Sequence, residues 1–288
     1  MNILLNSRKI SLQILMAAVA IWSLGQGQSA VAMPPAPYHL IYGLVRDQYG
    51  TPLSSSSSLV ILQAQSGTQL TAQFLPGFAA GINYQIKVPM DSGQTPVLYR
   101  PDALIESNEF TMLVTVGTTT NIPIEMTNFV MLGQPGGSTR IDLTLGVDSN
   151  GDGIPDAWEN AYLTALGTNI PLSSINANSI LAGGLTLWQA YLQGLPVFDP
   201  GVPFRVTLIG FDGTYPVIAF PAMTGRSYTV LGSSDLNTWT PLLFNLPTDA
   251  PGAPARSFFY SSTIQNVELQ VSPPAPATNA TYLKLLLQ

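Results

Sequence analysis

Residues 82–88 read Ile82-Asn83-Tyr84-Gln85-Ile86-Lys87-Val88. In an extended chain Ile82, Tyr84, Ile86 and Val88 fall on one side and Asn83, Gln85 and Lys87 on the other, because successive strand side chains point to opposite faces. A strand with one buried face is expected here, and the signal recurs in both directions. Toward the N-terminus it returns at 39–46 and 59–65; toward the C-terminus at 110–116, 122–126 and 139–145. Turn-forming residues separate these runs every ten residues or so, the rhythm of a β-sandwich. The polar run Ser54 to Ser58 reads as a solvated loop after the Asp47–Pro52 turn.

The strand rhythm stops at Asp148. In Pro155-Asp-Ala-Trp-Glu-Asn-Ala-Tyr-Leu-Thr-Ala-Leu-Gly167, apolar Trp158, Tyr162 and Leu166 recur at four-residue spacing. Pro155 suits a first helical turn and Gly167 a position just past the end, so a short amphipathic helix is expected. A second is expected over Thr186 to Gln193, with Leu187 and Tyr191 on one face and Gly194 and Pro196 as the stop. Beyond Phe204 seven more strand-like runs follow: FRVTLI, YPVIAF, RSYTVLG, WTPLLF, RSFFYS, VELQV and TYLKLLL. They read as a second sandwich, with Pro273 to Ala280 as a loop before its closing strand. The expected fold is therefore mainly β, two β-sandwich modules (38–146 and 203–288) joined by a short helical calcium-binding segment (147–200).

Composition narrows the function classes. The 288 residues carry only 10 Lys+Arg against 16 Asp+Glu, with one His and no Cys. An acidic pI near 4.5 and scattered cations argue against nucleic acid and anionic membrane surfaces as partners. Without cysteine there is no disulfide scaffold, thiol nucleophile or thiolate metal site, and the lone His39 excludes multi-histidine zinc sites. Residues 1–32 have a basic start, the apolar run Ile10–Gly25 and small residues ending in Ala30-Val31-Ala32, the order of a secretory signal peptide. Its removal takes the formal net charge from −6 to −8, since Arg8 and Lys9 leave with it. The mature chain is expected to be secreted or held at the cell surface, without a membrane span.

One motif carries chemistry. Asp148-Ser-Asn-Gly-Asp-Gly-Ile-Pro-Asp-Ala-Trp-Glu159 fits the D-x-[DN]-x-[DN]-G-x5-E calcium loop at every specified place. Calcium takes six to eight oxygens, and the loop offers Asp148, Asn150, Asp152, the Ile154 carbonyl, Asp156 or its bound water, and bidentate Glu159. Four carboxylates within twelve residues repel one another unless a divalent ion compensates them. The corresponding places of a second loop would fall on Ser179, Leu181, Gly183 and Ala190, none of them charged. One structural Ca2+ is therefore expected, clamping a linker and not switching it.

Three stretches carry resemblances. Ile41–Leu53 contains Gly43-x-Val45-x-Asp47-x-x-Gly50-x-Pro52 and resembles the opening of carboxypeptidase regulatory-like or transthyretin-like β-sandwich modules. Asp148–Glu159 resembles the EF-hand-like calcium segments of thrombospondin type 3 repeats and dockerins. Gly225–Leu242, with Ser234-Asp235-Leu236 and Trp239, is similar to a C-terminal β-module of large secreted bacterial proteins. The resemblance implies an exported, multi-module bacterial protein. A dockerin that docks on a cohesin keeps two calcium loops, which this chain does not.

Enzyme motifs are missing from the sequence. There is no G-x-S-x-G elbow, His39 opens a strand, and Gly133–Arg140 lacks the lysine of a phosphate loop and reads as a turn. The expected role is non-catalytic, structural or adhesive, toward a surface or glycan ligand. The alternatives are a carbohydrate-binding accessory protein, for which Trp239 and Tyr228 are the stacking candidates, and behind it an undetected hydrolase. Packing is the other reading of both aromatics, and of Trp158 and Trp188 on their helical faces.

Overall fold

The computed structural model describes residues 35–55, 57–95, 97–194, 204–272 and 282–288. The leader, the stretch around Pro196 to Val202 and the whole Pro273–Ala280 loop lie outside the described residues. Among the described residues there are two α-helices, α1 at Asp156–Ala165 and α2 at Leu187–Gln193. Of the described residues 42% are strand against 10% helix, so the fold is mainly β.

The first β-module contains β1 (Ala36–Gly43), β2 (Val45–Arg46), β3 (Ser58–Ala64), β4 (Gln69–Gln73), β5 (Tyr84–Asp91), β6 (Leu104–Ile105), β7 (Glu109–Val116), β8 (Thr119–Asn121), β9 (Val130–Met131), β10 (Ser138–Arg140) and β11 (Leu143–Thr144). One sheet has the order β10-β1-β5-β6, the other β4-β3-β7-β8 with β9 also on β7. Leu40 sits opposite Lys87 on one side and Ser138 on the other, antiparallel to β5 and parallel to β10. Between the sheets, Ile41, Tyr84, Ile86 and Val88 share a core with Val60, Leu62, Phe110, Met112 and Val114. This is how period-two strands bury one face of each sheet.

Three local expectations are corrected. β5 begins at Tyr84, and Asn83 is buried, not on the solvent face. Its amide side chain accepts from Val45 N–H and donates to the carbonyls of Val45 and Leu53, replacing a missing strand neighbour. The run 122–126 is not a strand: Pro123 precedes a 3-10 turn at Ile124–Met126, since proline has no N–H for a ladder. The runs 39–46 and 139–145 each divide in two, with β10 against β1 and β11 against β2, both parallel. At the break, Asp142 Oδ1 accepts Leu44 N–H. A Cβ on Gly43 would stand 2.0 Å from the Ile141 carbonyl oxygen, so this position excludes any side chain. His39 is buried, with Nδ1 2.8 Å from the Gln134 carbonyl and Nε2 2.8 Å from Thr139 Oγ1, which marks it as structural.

The second β-module is built from β12 (Thr207–Asp212), β13 (Tyr215–Ala222), β14 (Ser227–Ser233), β15 (Thr240–Asn245), β16 (Phe259–Tyr260), β17 (Gln265–Ser272) and β18 (Tyr282–Leu287). All its strand pairs are antiparallel, in the order β12-β13-β17-β15-β14-β16 with β18 on β14. Leu242 of β15 faces Val230 of β14, whereas Leu243 to Asn245 face β17, so β15 hands the ladder from one half to the other. Ile218, Phe220, Tyr228, Val230, Phe244 and Leu269 form its core. Ser234-Asp235-Leu236 is the turn into β15: the N–H groups of Thr238 and Asn237 hold the exposed Asp235 carboxyl down at about 2.

Between the modules lies a third, small core of Ile154, Trp158, Tyr162, Leu163, Ile175, Leu187, Ala190 and Tyr191. Trp158 stacks on Tyr162 with ring centroids 4.9 Å apart and meets Tyr191 edge-on at 5.4 Å. α2 opens with a reciprocal capping box between Thr186 and Gln189 and closes on left-handed Gly194. The three cores converge on Gly50 and Arg226. A Cβ on Gly50 would stand 2.7 Å from the Tyr191 ring, and the buried Arg226 donates from Nε to the Leu192 carbonyl and from Nη2 to the Gly50 carbonyl. Ala36 to Gln288 thus forms one compact unit. Among the described residues no helix is long and apolar enough to cross a membrane.

Candidate metal centre

The loop 148–159 runs from the end of β11 into the first turn of α1. Gly151 and Gly153 take positive φ of 74° and 90°, which turn the chain back on itself. Asp148 anchors the turn: its Oδ1 accepts the N–H groups of Gly151 (2.7 Å) and Asp152 (3.2 Å), and its Oδ2 that of Gly153 (2.8 Å). Asp152 Oδ1 accepts Ile154 N–H at 2.9 Å. Asp156, at the start of α1, accepts from Ser149 N–H and Oγ. The Asn150 amide donates to the carbonyls of Leu172 and Ile175 and, at 3.4 Å, to Glu159 Oε1. Residues 172–177 therefore cover the loop, a role nothing in their sequence marks. Trp188 stands beside the loop near Gly153 and is 39% exposed, so only Trp158 of the two helical tryptophans is core.

Two oxygens in this loop are buried without a partner among the described residues, Asp152 Oδ2 and Glu159 Oε2. Glu159 is fully buried. Burial, reinforced by the negative charge of Asp152, pushes its carboxyl up to about 7. Asp152 is raised as well, by burial first and Asp148 second, against the pull of the Ile154 N–H. An anionic oxygen that is desolvated and unpaired is costly unless a cation or proton meets it. Asp148, Asn150, Asp152, Asp156 and Glu159, with the Ile154 carbonyl, all belong to this one turn. Among the described residues no three Asp, Glu or His side chains converge as a ready cage; the loop's own N–H groups take up both oxygens of Asp148 and Oδ1 of Asp152. Each carboxylate retains further lone pairs, since it can accept at about four sites. The donor set is all oxygen and predominantly anionic, which fits a hard divalent cation.

Other candidates separate from this centre. Tyr228 is fully buried and its hydroxyl accepts Met223 N–H, so it is a core residue and not a stacking platform. Trp239 is half-buried; its ring is covered by Lys284 Nζ, 4.7 Å from the ring centroid, and its Nε1 donates to the Leu236 carbonyl. A surface cleft of about 610 Å³ is lined by Asp212, Asp249 and Glu268 among others. Asp249 there is committed to Leu246 N–H and to Arg256, and Asp212 accepts from Gln270.

Comparison with protein-family models, with curated proteins and with solved structures gave no match. The fold and the loop therefore stand on their own geometry.

Proposed function

We propose that this chain is an exported, non-catalytic calcium-binding protein with a structural or adhesive role, in which one ion at residues 148–159 stiffens the segment joining two β-modules. Asp148, Asn150, Asp152, Asp156 and Glu159, with the Ile154 carbonyl, would hold the ion. Bound calcium supplies charge compensation and no group transfer. The observation that carries the reading is the fully buried Glu159 with an unpartnered Oε2, at the twelfth place of the loop, where calcium loops put their bidentate glutamate. Glu159 lies on α1 one residue from Trp158, and Trp158 touches Tyr191, so order in the loop passes directly to the packing around Gly50. The leader-like N-terminus and the resemblance to exported multi-module proteins support a location outside the cell, where calcium is abundant enough to fill even a weak site.

The test is a calorimetric calcium titration of the protein, with Asp152→Ala in parallel. One saturable site in the parent and none in the variant is the expected result. Absence of binding in the parent, or equal binding in the variant, would overturn the assignment. The carbohydrate-binding alternative has lost Tyr228 to the core, and a glycan array addresses what remains of it.

A further inference from the structure

The ten Lys and Arg residues of this acidic chain are not evenly spread. Arg46, Arg140 and Arg226 line one cavity of about 140 Å³, together with Leu44, Leu192 and Gln288. It lies where the three cores meet: Arg46 and Arg140 come from the first module, Leu192 from α2, and Arg226 from the turn before β14. Like charges gathered in a confined space repel, and a buried guanidinium without an anionic partner is costly.

Arg226 is in that position. It is only 5% exposed, and no carboxylate pairs with it among the described residues. Its hydrogen bonds go to two neutral carbonyls, Leu192 and Gly50, which use two of the five N–H groups a guanidinium carries. Of the carboxylates nearby, Asp47 acts on Arg226 and Glu125 on Arg46 only through space, without forming an ion pair. Asp142 holds Leu44 N–H and Arg140; Asp47 holds the N–H groups of Tyr49 and Thr51; Glu125 holds Thr144 N–H. Arg140 also donates to the Gly81 carbonyl. Arg46 forms no ion pair among the described residues. The cavity amounts to about four or five waters at roughly 30 Å³ each, room for an ion of a few heavy atoms and little more.

We propose that this cavity is a binding site for a small oxyanion, held by the guanidinium groups of Arg46, Arg140 and Arg226 at the joint between the three cores. Planar guanidinium groups match tetrahedral and carboxylate oxygens through paired N–H donors. Such an ion would fasten the joint, because Arg226 already ties Gly50 to the end of α2. The site does not depend on calcium.

The test is a calorimetric titration of the full chain with sulfate in chloride buffer of constant ionic strength. Heat of binding is the readout because sulfate raises melting temperatures non-specifically. One saturable site is expected. Arg46→Gln should weaken it about ten- to a hundredfold, the size of one charge-assisted hydrogen bond, and leave the far-ultraviolet circular dichroism unchanged. Lys87→Gln, which removes an exposed cation outside the cavity, should leave binding intact. Arg140→Gln serves as the second cavity variant should Arg46→Gln fold poorly. No saturable binding, binding that persists in both cavity variants, or equal weakening by Lys87→Gln would each overturn the assignment.

Discussion

Replacing Glu159 by glutamine should change stability with opposite sign in the presence and absence of calcium. The buried carboxyl titrates near 7 in the folded protein against 4.5 for a free glutamate. Below pH 4.5 it is protonated in both states and costs nothing. Between 4.5 and 7 the unfolded chain releases a proton that the folded chain keeps, so metal-free stability falls as pH rises. Above 7 the loss levels off; a gap of about 2.5 pH units at about 1.36 kcal/mol each gives about 3 kcal/mol. Glutamine has nearly the same shape and cannot ionise. In EDTA at pH 8, Glu159→Gln should therefore raise the melting temperature, by about 6–12 °C at 2–4 °C per kcal/mol for a protein of this size. With calcium at a thousandfold excess over its Kd the parent gains about 4.1 kcal/mol, more than the roughly 3 kcal/mol by which it trails in EDTA, and the variant, lacking the bidentate ligand, gains much less. The two melting curves should exchange order between EDTA and calcium. A variant less stable than the parent in both buffers would mean that Glu159 serves only as a hydrogen-bond acceptor. Equal calcium gains in both proteins would place the ion elsewhere.

Further predictions concern the joint and the two β-modules. Arg226→Met leaves the Leu192 and Gly50 carbonyls without their donor and should cost about 2–6 kcal/mol in urea unfolding, at about 1–3 kcal/mol per buried acceptor. Gly43→Ala should abolish soluble expression, because the obstructing Ile141 oxygen is backbone and cannot rotate away; Gly117→Ala, with open space but a φ of 61°, should cost only about 1 kcal/mol. Tyr228→Phe removes the acceptor of Met223 N–H and should lower stability by about 1 kcal/mol in a thermal melt. Lys284→Gln should cost about 0.5–1 kcal/mol and shift Trp239 fluorescence, since the ammonium group lies over the indole.

What could be read in the sequence was what depends on neighbours along the chain. Alternation located β3, β5 and β7, whose inward residues are among the most buried in the protein. The helix ends were legible because Gly167 and Gly194, both left-handed, directly follow the last turns they close. The loop ligands were legible as a motif because the loop is twelve consecutive residues. Unread were β4, a five-residue edge strand whose alternation rests on only Leu70 and Ala72 between polar residues, and the burial of Asn83, which depends on Val45 and Leu53 arriving from elsewhere. Arg226 was hidden for the same reason: its partners lie 34 and 176 residues away. Trp188 sits on a helix face the spacing marks as apolar, yet that face meets the loop edge and partial solvent.

The position of β1 has a further consequence, for how the chain is made. Its residues pair on one side with β5 and on the other with β10. A ribosome adding about 5–20 residues per second therefore leaves β1 waiting about 5–20 s between its own completion and the synthesis of Arg140. Throughout that interval at least one row of its backbone donors and acceptors is open, and open strand edges recruit other nascent chains. Holding the newborn chain extended until both neighbours exist removes that hazard, so the yield of native protein should depend more on chaperone supply than on the final stability of the fold.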